Sequence, residues 1–442
     1  MLRPQAVRIC SRAVANQGVF MNIVPLRNKL NARLFLLFAT FLAVALGMLA
    51  ARIPHLVTDF QARGIDALGD FQYYYYAFTV ALKHPLDAWT IYDNEHIAAF
   101  LRHMGIKDIG AQSFYGYPPQ FAVFFSWLAL FDVATSRVVW SAISLVFLLV
   151  GLALTLHLAY RGRRSEVLVL LIALAVLCRP IVDEVYWGQS NALLFVLLAA
   201  TFCCIERGNR YTAGVFLALA IAFKVTPLAI AGLLLLRREW QTVLATVVFS
   251  TVIATLTALQ LGWRVILHFF SSDLSRLNEQ ILLLGGAPFN SSFKGALQTL
   301  FATAGMSVST ATLGALSTAF AVVVCFLAAY LVFARSTVPR MDYALATATM
   351  LVASPVLESY HLVVVLIPLL ILVGTSLEQT QAVRKSALGA RMELALVALA
   401  TALLMFSPRF VSYTVAALLI YALCVARYFP PATESDGVRK PA

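Results

Sequence analysis

A carboxylate at position 70 is the first polar residue of this sequence with the surroundings of a catalytic group. Asp70 precedes a stretch in which Tyr73, Tyr74, Ala77 and Ala81 recur at helical spacing. Partial burial beside aromatic rings raises the pKa of a carboxyl toward the range that suits a general base. The alternative is an N-cap, in which the carboxylate accepts free backbone N–H groups of that helix. The two roles are compatible, and Asp70 is our candidate for the base.

Lys224 is the strongest candidate for binding an anion. It lies within the apolar stretch 213–236 and precedes Thr226-Pro227. An ammonium at this position would capture a phosphate at the bilayer surface, helped by the free N–H groups of the following helix. The alternative is a lysine that extends to the interface without a ligand. Arg179 and Lys294 are secondary candidates for the same phosphate.

His361 and the polar turn 187–191 supply further candidates. His361 opens an apolar helix and is a catalytic candidate, although a single histidine is often only a satisfied polar residue. The turn contains Gln189 and Asn191, whose amides suit a neutral, hydroxyl-rich ligand. The alternative is that these amides cap the ends of two short helices.

The remaining motifs are weaker. Asp93 precedes Asn94-Glu95-His96 and is predicted mainly as a helix cap. The segment 114–119 is a rigid aromatic turn whose prolines are ordinary at a helix start. The sequence has no Cys/His cluster, Asp-x-Asp pair or Walker loop, so it predicts no metal and no cofactor.

Composition decides where these residues must be held. The chain has 442 residues, of which 61% are hydrophobic and 12% charged, and its mean hydropathy is +0.83. Soluble domains carry about twice that share of charge. Lys and Arg form short clusters between apolar runs, so the net charge of +12 indicates membrane topology rather than nucleic-acid binding. We therefore predict an all-α integral membrane protein.

We predict about twelve membrane helices, several of them short, and an N-terminus on the cytoplasmic side. The predicted helices are 33–52, 136–159, 166–180, 190–205, 211–223, 226–236, 240–261, 308–334, 341–355, 360–375, 392–407 and 409–427. The apolar or amphipathic pieces 71–83, 93–104, 118–131 and 291–304 are predicted as interfacial helices on the outer face.

The predicted organisation is one membrane domain, 33–428, between a cytoplasmic segment 1–32 and a cytoplasmic tail 429–442. Its outer loops are 53–135 and 262–307. In this topology the unusual polar residues collect at the outer face, which predicts one outward-facing site. A transporter would carry polar residues on both faces and mid-membrane, together with repeat symmetry. A lipid-linked sugar flippase or secondary transporter, and a non-catalytic membrane scaffold, are the alternatives.

The polar motifs follow one another in a characteristic order. They are Asp70-x-x-Tyr73-Tyr74, Ile91-Tyr92-Asp93, Tyr117-Pro118-Pro119, Gly188-Gln189-Ser190-Asn191, Lys224-x-x-Pro227, Asn290-x-Ser292, and Ser354-Pro355 with His361. In order and spacing, from about residue 30 to 428, the chain resembles glycosyltransferase family 87. This is the polyprenol-phosphate-mannose-dependent mannosyltransferase type of the GT-C membrane glycosyltransferases. Near His361 the chain departs from the family pattern, because Leu357-Glu358-Ser359-Tyr360 supplies neither the usual Trp nor a second His.

The resemblance implies a GT-C fold and a donor in which a hexose, most often mannose, is linked through phosphate to a polyprenol. It implies a glycan or glycolipid acceptor on the periplasmic side of a bacterial inner membrane, and no nucleotide sugar. By similarity, Asp70 takes the proton of the acceptor hydroxyl in one inverting step, and Lys224 stabilises the departing phosphate. The residues that would contact sugar or acceptor are Tyr73, Tyr92, Asp93, Tyr117, Gln189, Asn191 and Asn290.

Overall fold

The computed structural model describes residues 32–48, 50–51, 58, 68–107, 114–162, 164–275, 290–335, 338–382, 387–406 and 410–429, and all regular structure in them is helical. The helices before the turn at 188 are α1 (Ala32–Met48), α2 (Phe71–Lys83), α3 (Asn94–His103), α4 (Pro119–Phe125), α5 (Val133–Ala159), α6 (Ser165–Leu177) and α7 (Arg179–Trp187). Those after it are α8 (Asn191–Glu206), α9 (Arg210–Phe223), α10 (Leu228–Leu236), α11 (Trp240–Leu261), α12 (Trp263–His268), α13 (Phe293–Thr303), α14 (Thr310–Arg335), α15 (Pro339–Val352), α16 (Leu366–Ala382), α17 (Ala387–Phe406) and α18 (Phe410–Ala426). Short 3-10 helices at Pro85–Tyr92, Ser126–Leu130 and Ser359–Val365 and a π-helical turn at Phe269–Asp273 complete the regular structure of the described residues.

The predicted all-α class is confirmed, and every predicted membrane helix coincides with a helix of the structure. In the described residues, α5, α11, α14 and the continuous helix Ser359–Glu378 are long and apolar enough to cross a membrane. The pair α6–α7, bent by 48°, gives a fifth candidate span. The crossing of the membrane by all twelve helices stays a prediction.

Two breaks in the apolar helices arise where proline removes a backbone donor. Pro180 lies in the first turn of α7, so the chain bends between α6 and α7 instead of ending a helix near 180. Lys224 is extended, with φ −153° and ψ 134°, and Pro227 directly precedes α10. The predicted interruption at Lys224 is therefore present, and it frees the lysine side chain from a regular helix face.

The helices divide the polar residues between two ends of the bundle. Lys224 follows the last residue of α9 and contacts the first residue of α8, so Glu206 and Arg210 lie at the other end, about 24 Å away along α8. The ion pairs at that far end are Arg161–Glu206, Arg210–Glu239, Arg237–Asp342, Arg340–Glu378 and Arg427–Glu393. These arginines belong to the clusters predicted to face the cytoplasm.

Burial separates a central helix from its surroundings. In the most apolar stretch of the helix Ser359–Glu378, 83% is buried inside the protein. In the corresponding stretches of α5, α11 and α14 only 22–28% is buried. The exposed side chains of those three helices are mostly apolar, for example Leu149 and Phe326. An apolar exterior around a buried helix is the arrangement that a lipid environment favours.

The predicted interfacial piece 71–83 is a helix, but it is enclosed by protein. Ten of the thirteen residues of α2 are buried. Its Phe71 and Tyr74 rings pack against Trp140 of α5, with centroids 6.1 and 6.2 Å apart. This aromatic packing holds the segment after Asp70 against the membrane helices, so α2 carries Asp70 into the bundle end.

We expect Gly374→Ala to destabilise the protein. A Cβ at Gly374 in α16 would lie 2.0 Å from the Ala159 carbonyl oxygen at the end of α5. Separating the two helices to admit a methyl group costs about 1–3 kcal/mol. The melting temperature of the purified protein in detergent should fall by a few degrees, as measured by thermal unfolding.

The matched control is Gly232→Ala in α10, where an added Cβ meets nothing within 4 Å. Its melting temperature should be unchanged or higher, since alanine favours helix over glycine. Equal melting temperatures for the two variants would contradict a tight contact between α5 and α16.

Candidate active site

Side chains of α5 hold the turn between α7 and α8 by hydrogen bonds to its backbone carbonyls. Gly188 ends α7 in the left-handed conformation, with φ +68°. The buried Arg137 guanidinium donates to the carbonyls of Val185 at 2.8 Å and Tyr186 at 3.1 Å, and the Trp140 indole donates to that of Gly188 at 2.9 Å. A Cβ at position 188 would lie 2.8 Å from the Arg137 guanidinium carbon, so only glycine fits.

Asp70 is attached to this same turn. Gly69, with φ +59°, passes so close to the backbone of Trp187 that a Cβ would lie 2.7 Å from its carbonyl oxygen. The Asp70 N–H donates to that oxygen at 2.9 Å. The Asp70 side chain does not cap α2. Its Oδ2 accepts a short hydrogen bond from the Gln189 amide and lies 3.4 Å from the Tyr360 hydroxyl.

The surroundings of Asp70 tune its acidity. Burial raises the pKa of the carboxyl to about 6, while the Gln189 hydrogen bond and the positive charge of Arg137 oppose the rise. A carboxylate with this pKa is ionised at neutral pH and is a stronger base than an exposed aspartate. The alternative that the Asp70 carboxylate caps α2 is wrong, and its role as a base stays a prediction.

Two tyrosines face the other side of the Gln189 amide. The amide oxygen lies 2.8 Å from the Tyr74 hydroxyl and 2.9 Å from the Tyr117 hydroxyl, and the two hydroxyls lie 2.8 Å apart. Burial raises the pKa of both phenols, so they remain protonated donors. Tyr92 helps to hold Tyr117 in place, because its hydroxyl donates to the Tyr117 carbonyl at 2.9 Å. Tyr73 lies partly buried beside them on α2.

The second amide of the turn holds the lysine. The Lys224 ammonium donates to the Asn191 amide oxygen at 2.7 Å and lies 5.9 Å from the centroid of the Tyr117 ring. The Asn191 amide nitrogen donates to Glu184 at 3.1 Å, and the Ala192 N–H donates to the other Glu184 oxygen at 2.7 Å. It is thus the carboxylate of Glu184, not an amide of the turn, that caps α8.

His361 lies in the 3-10 helix Ser359–Val365, at the start of the central helix. The loop just before this 3-10 helix is contacted by Asn290, which precedes α13. The His361 Nδ1 accepts the Glu358 N–H at 3.1 Å. The Asn290 amide oxygen accepts the Leu357 N–H at 3.1 Å, and its nitrogen lies 3.3 Å from the Pro355 carbonyl oxygen. Asn290 therefore fixes the loop that carries His361.

Glu358 adds a second carboxyl group to the site. Burial raises its pKa to about 8, repulsion from Asp70 adds to the rise, and the positive charge of Lys224 opposes it. Asp70, Glu358 and Lys224 are therefore close enough to influence one another's ionisation. The 3-10 helix of His361 and the turn at 188 meet at this end of the bundle.

Three further predicted residues have contacts of their own. Arg179 lies at the start of α7, one helix length from the turn, and pairs with Asp183 at 3.5 Å. Lys294 is buried in the first turn of α13, where its ammonium faces Gly314 of α14. Asp93 is the cap of α3 and accepts two backbone N–H groups at 2.9 Å.

The sequence interpretation did not single out Arg137, Glu184 or Glu358. A signal for the first two was present, since an ionisable residue beside long apolar runs requires a partner and suggests a function. Glu358 gave no comparable signal, because it lies in a polar loop of the sequence. The described residues contain no group of three His, Cys, Asp or Glu side chains placed to hold a metal ion.

Known proteins share part of this chain. The profile of glycosyltransferase family 87 matches residues 114–355, which include Tyr117, Gln189, Asn191, Lys224 and Asn290. The match does not extend to residue 70 or to residues 358–361.

Two curated relatives carry the same name, polyprenol-phosphate-mannose-dependent alpha-(1-2)-phosphatidylinositol mannoside mannosyltransferase. The one from Mycobacterium tuberculosis is 30% identical over 207 residues, which are 43% of this chain and 47% of the relative. The one from Mycolicibacterium smegmatis is 30% identical over 202 residues, 42% of this chain and 44% of the relative. The matches span just under half the length of each relative. The family match alone covers more than half of the present chain, which therefore belongs to glycosyltransferase family 87.

Proposed function

We propose that this protein is a membrane hexosyltransferase that uses a polyprenyl-phosphate-linked sugar, with mannose the first candidate from the names of its relatives. One observation carries the proposal beyond family membership. The two amides of a single turn hold a carboxylate and an ammonium: Gln189 contacts Asp70, and Asn191 contacts Lys224. Glycosyl transfer from a phosphate needs such a base and such a cation close together.

In the proposed reaction the Asp70 carboxylate takes the proton of an acceptor hydroxyl. The hydroxyl oxygen forms a bond to the anomeric carbon as the bond from that carbon to the phosphate oxygen breaks. The electron pair leaves with the polyprenyl phosphate, whose added negative charge the Lys224 ammonium stabilises. A single displacement of this kind inverts the anomeric configuration and needs no metal, because the lysine supplies the positive charge.

His361 is proposed to orient the donor. Its Nδ1 accepts a backbone N–H, so the neutral ring carries its proton on Nε2 and can donate from there. The acceptor is proposed to be a glycan or glycolipid at the periplasmic face of the inner membrane. The phosphatidylinositol mannoside in the relatives' names supports an acceptor of the glycolipid class.

The far end of the bundle supports an enzyme rather than a flippase or secondary transporter. Arg237 pairs there with the buried Asp342, which also accepts from the Tyr428 hydroxyl. Arg340 pairs with Glu378 at 3.0 Å. A transporter that opened this end would have to separate buried charges, which is costly.

Replacing the base tests the reaction. Asp70→Asn should lower transfer by about 10²–10⁴-fold, since the amide cannot accept a proton. The measurement is transfer of radiolabelled mannose from polyprenyl-phosphate mannose to a membrane lipid extract by the full-length protein in liposomes. Asp87→Asn, at an exposed aspartate, is the control and should retain activity. Full transfer by a folded Asp70→Asn protein would remove Asp70 from this role.

Removing the ammonium tests the anion site. Lys224→Met keeps the length of the side chain and should lower the turnover rate by about 10²–10³-fold, the usual loss for one charge-stabilising donor. Competition by polyprenyl phosphate should weaken in the same variant. Lys83→Met, at the exposed last residue of α2, is the control. Unchanged turnover and competition in Lys224→Met would place the phosphate elsewhere.

The acidity of Asp70 predicts the pH dependence. A base must be ionised in the free enzyme, so kcat/KM should rise with pH through a midpoint near 6, the raised pKa of Asp70. Activity is lost as pH falls below that value because the carboxyl becomes protonated. The check is initial-rate kinetics from pH 4.5 to 7.5. A flat profile, or one whose midpoint lies near the pKa of an exposed aspartate, would contradict this environment for the base.

A further inference from the structure

Gln189 contacts the proposed base on one side and two phenols on the other. Its amide nitrogen donates to Asp70 Oδ2, and its amide oxygen lies 2.8 and 2.9 Å from the hydroxyls of Tyr74 and Tyr117. Gln189 and Tyr74 are buried, and Tyr117 is nearly so. The nitrogen and the oxygen of the amide therefore both have protein partners, and only the second N–H of the nitrogen is left to contact a ligand.

The two phenols determine which way the amide points. Each phenol has one proton to donate, and the two hydroxyls lie 2.8 Å from each other as well as close to the amide oxygen. When Tyr74 donates to the Tyr117 hydroxyl, Tyr117 donates to the amide oxygen. In the reverse orientation of the amide its oxygen would face the Asp70 carboxylate, and two acceptors would repel each other. With a phenol proton on the amide oxygen, the amide N–H is directed at Asp70. An amide donor in this position favours the ionised form of the carboxyl.

We propose that Gln189 is a positioning residue, which with Tyr74 and Tyr117 keeps Asp70 ionised and oriented for the acceptor hydroxyl, rather than a sugar ligand. The inference rests on the proposed role of Asp70 as the base. Gln189 occupies Oδ2, and in the described part of the chain no donor contacts Oδ1. Oδ1 is then the atom that receives the acceptor proton.

Other charged and titratable groups of the site stay constant when Gln189 is changed. Arg137 on α5 and Glu358 interact electrostatically with Asp70, and the Tyr360 hydroxyl lies 3.4 Å from it. Glu184 on α7, Lys224 after α9 and His361 at the start of the central helix interact with the neighbours of Asp70. Because these groups are present in every variant below, a difference between variants reports the amide and the phenols alone.

The test measures the ionisation of Asp70 without using activity. An apolar carbodiimide modifies carboxyl groups in their protonated form, and mass spectrometry of the Asp70 peptide gives the extent of modification. The full-length protein in liposomes is treated across pH 4.5 to 8.5. Half-maximal modification of the parent protein is expected near pH 6. In Gln189→Leu the midpoint should rise by about one pH unit, a tenfold change in the ionisation constant, which is the usual effect of a hydrogen bond to a charged group.

A second variant tests the proposal in case Gln189→Leu does not fold. Tyr74→Phe with Tyr117→Phe keeps both rings and the amide but removes the donors that orient it. The midpoint should rise in the same direction by a smaller amount. Gln120→Leu is the control, since Gln120 is a buried glutamine whose amide oxygen has no hydrogen-bond partner among the described residues. Its midpoint should equal that of the parent. An unchanged midpoint in the folded Gln189 variant, or in the tyrosine variant if the first does not fold, overturns the proposal.

Kinetics separate a positioning role from sugar binding. In Gln189→Leu the pH profile of kcat/KM should move upward with the modification midpoint, so that activity is partly recovered at higher pH. A sugar ligand would instead raise KM for the donor or acceptor at every pH, and that result would also overturn the proposal. Failure of the base proposal would give a different result, because a fully active Asp70→Asn protein would exclude Asp70 as the base. The carbodiimide measurement would still show whether Gln189 controls the ionisation of Asp70.

Discussion

The rest of the site depends on the hydrogen bonds that the buried Arg137 donates to the backbone at the end of α7. Its guanidinium binds the last carbonyls of α7, where a helix ends inside a mostly apolar bundle and its backbone oxygens need donors. That contact places the turn at Gly188, and the turn in turn places Gln189 and Asn191. Asp70 and Lys224 are each held by one of those two amides. Through the turn, Arg137 therefore helps to place both Asp70 and Lys224.

The two ends of the bundle use polar groups in opposite ways. At the far end, carboxylates and arginines pair directly, so their charges are neutralised and the end is held closed. At the site end, neutral amides hold Asp70 and Lys224 apart from each other. A charged group whose partner is a neutral amide can still attract a charged ligand. A charged group in an ion pair is neutralised by its partner and attracts a ligand much less. This difference supports the proposal that the reaction takes place at the end that contains Asp70 and Lys224.

The helix positions were accessible from the sequence, and so was the choice of Asp70 and Lys224 as candidates, but the partners of these two residues were not. Apolar runs near 20 residues long have few structural options in lipid, so every predicted membrane helix has a counterpart. The enclosure of α2 was missed because its aromatic face is as compatible with a membrane surface as with a protein interior. The amides were predicted as sugar ligands or caps. Which groups they contact depends on Gly69 approaching Trp187, a contact between residues 118 positions apart.

The sequence by itself determined an all-helical membrane protein of a recognisable transferase family, with a carboxylate, a lysine and a histidine placed near helix ends. Those features are local, because hydropathy, proline breaks and polar residues beside apolar runs act within about one helix length. Only the tertiary structure decided that Glu358 lies close enough to Asp70 to influence its ionisation, that Glu184 holds Asn191, and that Arg179 pairs with Asp183. Such pairings follow from how helices distant in sequence pack, and burial then sets the acidity of the groups they bring together.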